Sequence, residues 1–466
     1  MLKQVDVAII GAGTAGLTAV KELKKTTKSF LIIDRGPLGT TCSRVGCMPS
    51  KALLQFAHEY AGLKRLQKNE IWNGQGAIDI QRVMKEVRKL RDHFVAFALK
   101  DIEDLGDHFL QGHARFIGPN HLKIDDKTEV KAKSVIIATG GCPNVPKEWA
   151  SLGNKIVTTD SFFELDDLPE SWAVVGMGPI GLEIGQAMAL LDRKVYGFDK
   201  SLKIAGLADA VVAEVALKSL REDFPIHLGE EVKLSLSSDE SKVVVRFGSK
   251  SETVEKILVA TGRKPNLEGL GIDQAGCLLT DKGLPRFNKN SMKVEGVNPQ
   301  LYVAGDFDGD KAILHEAADE GRMAGFNALR DVPVAFKRKT PMSVTFTIPN
   351  IASIGLPCHE VPETVIGEVS FSNQGRSKIM GENKGALRLY VEPKTGKIMG
   401  AELMAPEGEH LAHILAAAIT EGLSVQDMLR HTFYHPTVEE GLRTALRDAS
   451  RKLALPALEG PDMLRI

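Results

Sequence analysis

The sequence predicts an α/β fold with two Rossmann-like dinucleotide-binding domains and a C-terminal α+β domain. Three observations predict it. Near the N-terminus a glycine-rich turn joins an apolar strand pattern to a helical pattern. The same arrangement returns at Gly176. From about Lys337 the pattern changes, and strands are followed by helices instead of alternating with them. The length of 466 residues agrees with about three domains.

In the first unit Val5 to Ile10 reads as a strand, Gly11-Ala-Gly-Thr-Ala-Gly16 as the turn, and Phe30 to Ile33 as the next strand, ending at Asp34. Gly11 makes the tight turn, Gly13 lets the backbone approach a pyrophosphate, and Gly16 lets helix and strand pack closely. The phosphate then sits at a helix N-terminus, where unpaired N–H groups and the dipole favour an anion. Asp34 stands at the end of that next strand, where a carboxylate can bond a ribose hydroxyl. The second unit repeats the plan with Trp172 to Val175, the turn through Gly176, Gly178 and Gly181, and Lys194 to Phe198. Asp199 follows Gly176 at the same spacing as Asp34 follows Gly11. A glycine turn alone is weak evidence, but flanking strands and the distal acid make it strong. Two fingerprints imply two dinucleotide sites.

Two further apolar strands end in Ala-Thr-Gly, Val135 to Gly140 and Ile257 to Gly262, and each can close its domain. Leu301 to Ala304 precedes Gly305-Asp306. The last region holds strand patterns at Leu387 to Val391 and Ile398 to Leu403, then helix patterns at His410 to Glu421 and Val438 to Leu453.

Hydrophobic residues make up 43% of the chain, charged residues 26%, and the net charge is -1. Such a balance gives no electrostatic reason to expect nucleic acid or an anionic membrane as partner. No apolar run is long enough to span a bilayer. The first apolar stretch is interrupted by Asp6, unlike a secretory signal. The chain reads as cytoplasmic, the alternative being an organelle form that has lost a transit peptide.

Five cysteines, an odd number in a large chain, argue against a disulfide framework. Only Cys42 and Cys47 lie close together. On a regular helix two cysteines five apart are too distant to bridge, because a disulfide wants Cα atoms about 4.4–6.8 Å apart. Gly46 and Pro49 predict a distorted helix start that allows closure. A short, strained, accessible disulfide is of the catalytic kind, and Cys47 near a helix N-terminus favours its thiolate. Two free core cysteines remain the alternative. No other cysteine or histidine cluster has metal-ligand spacing, so no metal is expected. A redox pair beside the first fingerprint argues that a tightly held flavin occupies that site and an exchangeable nicotinamide the second.

His435 precedes Pro436, which predicts an extended or turn conformation before the last helix. A dithiol substrate needs a base near neutral pH, and histidine can supply it. Glu440 could hold the other ring nitrogen. Alternatively Thr437-Val-Glu-Glu440 is a capping box that folds Glu440 back to the helix start. Local sequence leaves both open.

The segment Cys42-Ser-Arg-Val-Gly-Cys47-Met-Pro-Ser50-Lys51-Ala-Leu-Leu resembles the active-site segment of the pyridine nucleotide-disulfide oxidoreductases. Its Pro-Ser-Lys-Ala-Leu-Leu ending is similar to that of dihydrolipoamide dehydrogenases. Ala138-Thr-Gly140, Gly262-Arg263-Lys-Pro-Asn266, Ala304-Gly-Asp306, Phe346-Thr-Ile-Pro and His435-Pro-Thr-Val-Glu-Glu440 extend the resemblance over nearly the whole chain, in the family's order and spacing. It implies FAD and NAD as cofactors, Cys42 as the interchange thiol and Cys47 as the thiol against the flavin. It implies a homodimer built on the C-terminal domain, in which a His435–Glu440 dyad serves the disulfide of the opposite subunit. The substrate implied is a small dithiol or disulfide, such as the lipoyl groups of 2-oxo acid dehydrogenase complexes. Lys51 and Glu183 match a pair near the flavin and nicotinamide; each is otherwise a solvated charge. Asp306 matches the aspartate on the flavin's ribityl chain, and is otherwise a turn or cap residue. By the same resemblance Thr139, Gly140 and His315 fall to FAD, and Gly262 and Arg263 to NAD. The expected organisation is 1–150 for the first part of the FAD domain, 151–265 for the NAD domain, 266–336 for the rest of the FAD domain and 337–466 for the dimerisation domain.

Several positions depart from the dehydrogenase pattern. Asp34 stands where Glu is common, Thr40 where Gly is, and Glu316 where Lys is. Phe433-Tyr434-His435 replaces His-Ala-His, and Ile348 and Asn350 replace acids around Pro349. The nearest rival is a glutathione reductase or a relative. Mercuric reductases carry a C-terminal cysteine pair that Pro461-Asp-Met-Leu-Arg-Ile466 lacks. Outside the enzymes, the rival is a flavin-binding scaffold with vestigial catalysis, against which the complete set of Cys42, Cys47, His435 and Glu440 argues.

Overall fold

The computed structural model describes residues 2–74, 76–296, 300–307 and 312–453. The C-terminal segment 461–466 lies outside them. The chain opens with β1 (Leu2–Ile10), α1 (Thr14–Leu23) and β2 (Phe30–Asp34), then α2 (Thr41–Val45), α3 (Cys47–Lys68) and α4 (Ile80–Glu103). β3 (Phe109–Gln111), β4 (Ala114–Gly118), β5 (His121–Ile124) and β6 (Thr128–Ile137) follow. β1 begins at Leu2, earlier than the apolar pattern suggests, because its polar start pairs with the equally polar start of β6, Leu2 opposite Glu129. Its far half, Val7–Ile10, is buried between parallel β2 and β6, so it reads as an unbroken apolar run.

The second region holds β7 (Gly141–Pro143), β8 (Ile156–Val157), α5 (Thr159–Phe162), β9 (Ser171–Val175), α6 (Pro179–Leu190), β10 (Lys194–Asp199), α7 (Ala210–Leu220) and β11 (Ile226–Leu228). An antiparallel insert, β12 (Lys233–Leu236), β13 (Val243–Phe247) and β14 (Lys250–Val254), precedes β15 (Lys256–Val259) and β16 (Arg263–Pro265). The parallel sheet runs β11-β10-β9-β15-β8. The residues just past the two Ala-Thr-Gly turns meet in the antiparallel pair β7–β16, Arg263 opposite Pro143. β17 (Gln300–Val303) then returns to the first sheet and pairs with β6, giving seven strands there. α8 (Leu314–Ala328) packs on α1. Their backbones touch: a Cβ on Gly321 would lie 2.2 Å from the Ala15 carbonyl oxygen.

The last region holds β18 (Met342–Thr345), β19 (Asn350–Gly355), β20 (Val365–Ser370), α9 (Gly375–Met380), β21 (Ala386–Val391) and β22 (Ile398–Ala405). α10 (Gly408–Glu421), α11 (Val425–Leu429) and α12 (Glu439–Lys452) complete it. The antiparallel sheet runs β18-β19-β22-β21-β20. On α12 the residues Gly441, Leu442, Ala445, Leu446 and Ala449 are buried, one stripe at helical spacing. Truncating Leu442, which is fully buried, to Ala should cost about 2–5 kcal/mol. The architecture is the one the sequence predicts, two parallel α/β units and an antiparallel α+β domain. No described helix is long and apolar enough to cross a membrane.

Candidate active site

The Thr40 hydroxyl caps α2 by accepting the Ser43 amide at 3.2 Å, so Cys42 lies in the first turn of a short helix. Gly46, at φ -120° and ψ -119°, breaks the helix, and α3 restarts at Cys47, the distorted start that Gly46 and Pro49 predict. Any Cβ on Gly46 would come within 3.0 Å of the Thr41 carbonyl oxygen. Cys42 and Cys47 are thiols here, hydrogen-bonded to each other. The Cys42 bond, with help from the Lys51 charge, pulls Cys47 down to about 7 against the cost of burial. Cys42 moves the other way, because its bond to Cys47, burial and the neighbouring thiolate all hold its proton. Of the pair, Cys47 therefore ionises first, and Cys42 keeps its proton.

One turn further along α3, Lys51 Nζ meets Glu183 Oε2 of α6 at 2.7 Å. The two are thus paired and not separate solvated charges. The other Glu183 oxygen accepts the Phe346 amide at 2.9 Å, and the Phe346 ring lies 4.7 Å from the Lys51 ammonium. Glu183 is buried, but both of its oxygens are satisfied, which burial of a carboxylate requires. One turn along α6, Gln186 Oε1 accepts the Ile348 amide at 2.8 Å, and its Nε2 donates to the Ile348 carbonyl at 2.9 Å and to Asp223 at 2.8 Å. Phe346 and Gln186 are not among the site residues expected from the sequence. The Phe-Thr-Ile-Pro motif is visible there, but nothing local says that its backbone docks on α6.

The two glycine turns have matching geometry. Gly11 and Gly176 sit at φ 111° and 105°, values that favour glycine. A Cβ on Gly16 or Gly181 would fall 1.9 Å from the carbonyl oxygen of the turn's first glycine. Asp34 Oδ2 accepts the Ala12 amide at 2.6 Å, and Asp199 Oδ2 accepts the Met177 amide at 2.7 Å. Neither α1 nor α6 has a side-chain cap, so their first N–H groups face outward for an anion. Space over Gly13 and Gly178 is open.

Around the first turn, Asn266 donates to the Thr139 carbonyl at 3.0 Å, and its amide donates to the Gly140 carbonyl at 2.9 Å. Gly262 accepts the Asn144 amide at 2.9 Å. Arg263 donates to the Gly141 carbonyl and its Nε lies 3.9 Å from Asp306, which ties it to residues expected around FAD. Glu316, the unusual acid, pairs with Arg338 at 2.5 Å. Arg338 also pairs with Glu320, whose other oxygen accepts the Gly305 amide at 2.9 Å. His315 is exposed at the start of α8.

His435 Nδ1 lies 2.9 Å from Glu440 Oε2. The same oxygen accepts the Thr437 amide at 3.4 Å, so half of the capping-box alternative is present too. The Thr437 hydroxyl instead donates to the Tyr434 carbonyl, and the reciprocal half is missing. Arg443 holds the second Glu440 oxygen at 3.1 Å. The carboxylate thus fixes the ring through Nδ1 and leaves Nε2 outward on a side chain that is 80% exposed, free to meet another surface.

The residues present fit a flavin dinucleotide. Gly13 leaves room over the uncapped start of α1, and the Thr139 hydroxyl is buried without a partner, as is Arg44 Nε beside the cysteines. The model of the pyridine nucleotide-disulphide oxidoreductase family matches residues 5–323, and the model of that family's dimerisation domain matches 341–446. Dihydrolipoyl dehydrogenase of Bacillus subtilis is 30% identical over 94% of this chain and 97% of its own length. The mitochondrial dihydrolipoyl dehydrogenase of Pisum sativum is 29% identical over 94% of this chain and 90% of its own. The HOCl-induced flavoprotein disulfide reductase RclA of Escherichia coli, in its Cu(II) complex, has a like fold at TM-score 0.83 and 20% identity, over 96% of this chain and 99% of that one. Fold, paired thiols, twin nucleotide turns and family match converge, and the chain belongs to the FAD-dependent, NAD(P)-using pyridine nucleotide-disulfide oxidoreductases.

Proposed function

We propose that the protein oxidises dihydrolipoamide to lipoamide with NAD⁺, through a Cys42–Cys47 disulfide and FAD, as a homodimer. The observation that carries this reading is the Cys42–Cys47 pair with its split acidities at the start of α3. In the oxidised protein, His435 of the partner subunit takes the proton of a substrate thiol. The resulting thiolate attacks Cys42 Sγ, the Cys42–Cys47 bond breaks, and Cys47 leaves as the thiolate that Lys51 stabilises. His435 of the partner subunit passes that proton to solvent and takes the proton of the second substrate thiol, whose thiolate attacks the substrate sulfur bound to Cys42. That bond breaks, and Cys42 leaves with the proton from the partner's His435. The cyclic disulfide departs, and two electrons stay on Cys42 and Cys47. FAD, when bound, supplies the two-electron carrier between Cys47 and the nicotinamide. Gly11, Gly13, Gly16, Asp34, Lys51, Thr139, Gly140, Asp306 and His315 are the residues assigned to it. Gly176, Gly178, Gly181, Glu183, Asp199 and Gly262 are assigned to NAD; Arg263, expected with them from the sequence, stands beside Asp306 of the FAD set. In this reading 1–150 and 266–336 form the FAD domain, 151–265 the NAD domain and 337–466 the dimerisation domain.

NAD is favoured over NADP because Asp199 keeps an acceptor lone pair on each oxygen beyond its bonds to Met177 and Ser201. A 2′-phosphate would meet that charge. Lys200 and Lys203, which could offset it, are exposed. The decisive experiment is turnover of dihydrolipoamide with NAD⁺ beside glutathione disulfide with NADPH. Faster glutathione disulfide reduction would replace this reading, and an FAD-loaded protein inert with both would support a scaffold.

A further inference from the structure

We infer that a pocket beside the dyad makes this site prefer a dithiol whose aliphatic arm ends in a carboxylate over one, such as dihydrolipoamide, whose arm ends in an amide. The inference rests on the disulfide-exchange reading above. On α12, Glu440, Arg443 and Arg447 stand at i, i+3 and i+7, one face of the helix, opposite the buried stripe. Arg443 and Arg447 join Leu429, His431 and Phe433 around a cavity of about 320 Å³. That is the low end of small-molecule sites, enough for one arm of a substrate.

The lining has two characters. Leu429 and Phe433 supply an apolar wall, and the Arg443 guanidinium lies 5.9 Å from the Phe433 ring centre. Arg443, Arg447 and His431 supply cationic or hydrogen-bonding groups. Three of the nearby acids are already engaged, and Glu439, four residues before Arg443, has no partner among the described residues. Glu440 is shared between His435 and Arg443, Asp427 is held by Ser424 and stands 3.9 Å from Arg430, and Asp448 is held by Lys452 and Arg451. Arg447 makes no ion pair with a described residue. An arginine fork above an apolar wall suits a carboxylate on a hydrocarbon stem. A neutral amide would leave the fork unused. Phe433, which forms the wall, replaces a histidine of the dehydrogenase pattern.

The test is kcat/KM of the FAD-loaded enzyme with NAD⁺ for dihydrolipoate, which ends in a carboxylate, and for dihydrolipoamide, which ends in an amide. An exposed ion pair supports a preference of about fivefold for dihydrolipoate at low salt, falling toward one at high salt. R447Q should bring the ratio near one at any salt, and R447K should keep it. If both dithiols turn over at equal rates at low salt, the pocket reads no anion, and the proposed oxidoreductase function stands. If the preference survives R447Q, the carboxylate binds elsewhere. If neither dithiol turns over while the same protein oxidises NADH with an artificial electron acceptor, the proposed function and this inference both fall.

Discussion

At their turns the two nucleotide units nearly coincide. The first glycine has φ 111° in one and 105° in the other, and the carboxylate bond is 2.6 Å against 2.7 Å. Behind the turns they differ. α1 is pressed against α8 backbone to backbone, with glycine at the contact. α6 is gripped by the dimerisation domain through two side chains, Glu183 and Gln186, that bond to its main chain. The fingerprint therefore says where a dinucleotide lies, and the surroundings say what it works with. The helix of the second turn carries Glu183, which holds Lys51 one turn along α3 from Cys47.

The largest expected effect falls on the chemistry attached to the first unit alone. Cys42→Ser should abolish dithiol oxidation while NADH oxidation with an artificial acceptor continues, because that reaction needs both nucleotide sites but no thiol exchange. Steady-state assays of both reactions check this, and loss of both would mean that the two units are not separable. His435→Ala should lower dithiol turnover by about 10²–10⁴-fold with the flavin content, read from visible absorbance, unchanged.

Next come the matched glycines. Gly16→Ala and Gly181→Ala create the same clash, a Cβ 1.9 Å from a carbonyl oxygen, and each should cost about 1–3 kcal/mol in a urea titration. Their consequences should diverge. Gly16→Ala should lose its yellow colour, and Gly181→Ala should keep it but no longer saturate with NAD⁺. Colour lost from both variants would break the comparison.

A smaller effect is expected at Asp199. NAD⁺ should be used about tenfold better than NADP⁺ in kcat/KM, a difference of about 1.4 kcal/mol, and Asp199→Asn should narrow the gap. Equal use by the unaltered enzyme would show that Lys200 and Lys203 outweigh the carboxylate.

The smallest effect is a shift in pH. Cys47 titrates near 7 rather than at the ordinary 9.0. Alkylation of the reduced protein should thus stay fast as pH falls from 9, then slow as the thiolate takes up its proton around 7. Lys51→Met removes a stabilising positive charge and leaves Glu183 unneutralised. The midpoint should move up, slowing alkylation at neutral pH by roughly a few-fold. An unmoved midpoint would leave the Cys42 hydrogen bond as its whole cause.

The parts of this molecule legible in the sequence are those set by short-range rules. The glycine turns, the strands ending in Asp34 and Asp199, and the helix break at Gly46 each follow from backbone geometry within a few residues. The illegible parts depend on which distant surfaces meet. Lys51 and Glu183 are 132 residues apart, and Arg263 reaches Asp306 only because β16 folds back on β7. The antiparallel insert of β12, β13 and β14 shares its apolar alternation with many exposed ribbons and gave no signal of its own. Glu440 is the instructive middle case. Local sequence offered two partners for one oxygen, and the folded chain uses both, His435 more closely than Thr437.

Gln186 stands in for a peptide group. Its amide accepts from the N–H and donates to the C=O of one residue, Ile348, just as a neighbouring strand would. The fully buried side chain thereby continues main-chain pairing across a domain border. Swinging the second nucleotide unit away would exchange these bonds, and those of Glu183, for bonds to water, at about 0.5–1.5 kcal/mol net for each. Nucleotide exchange in this protein should therefore proceed by loop movement around a fixed frame, and heating should melt the second nucleotide unit and the dimerisation domain in one cooperative transition.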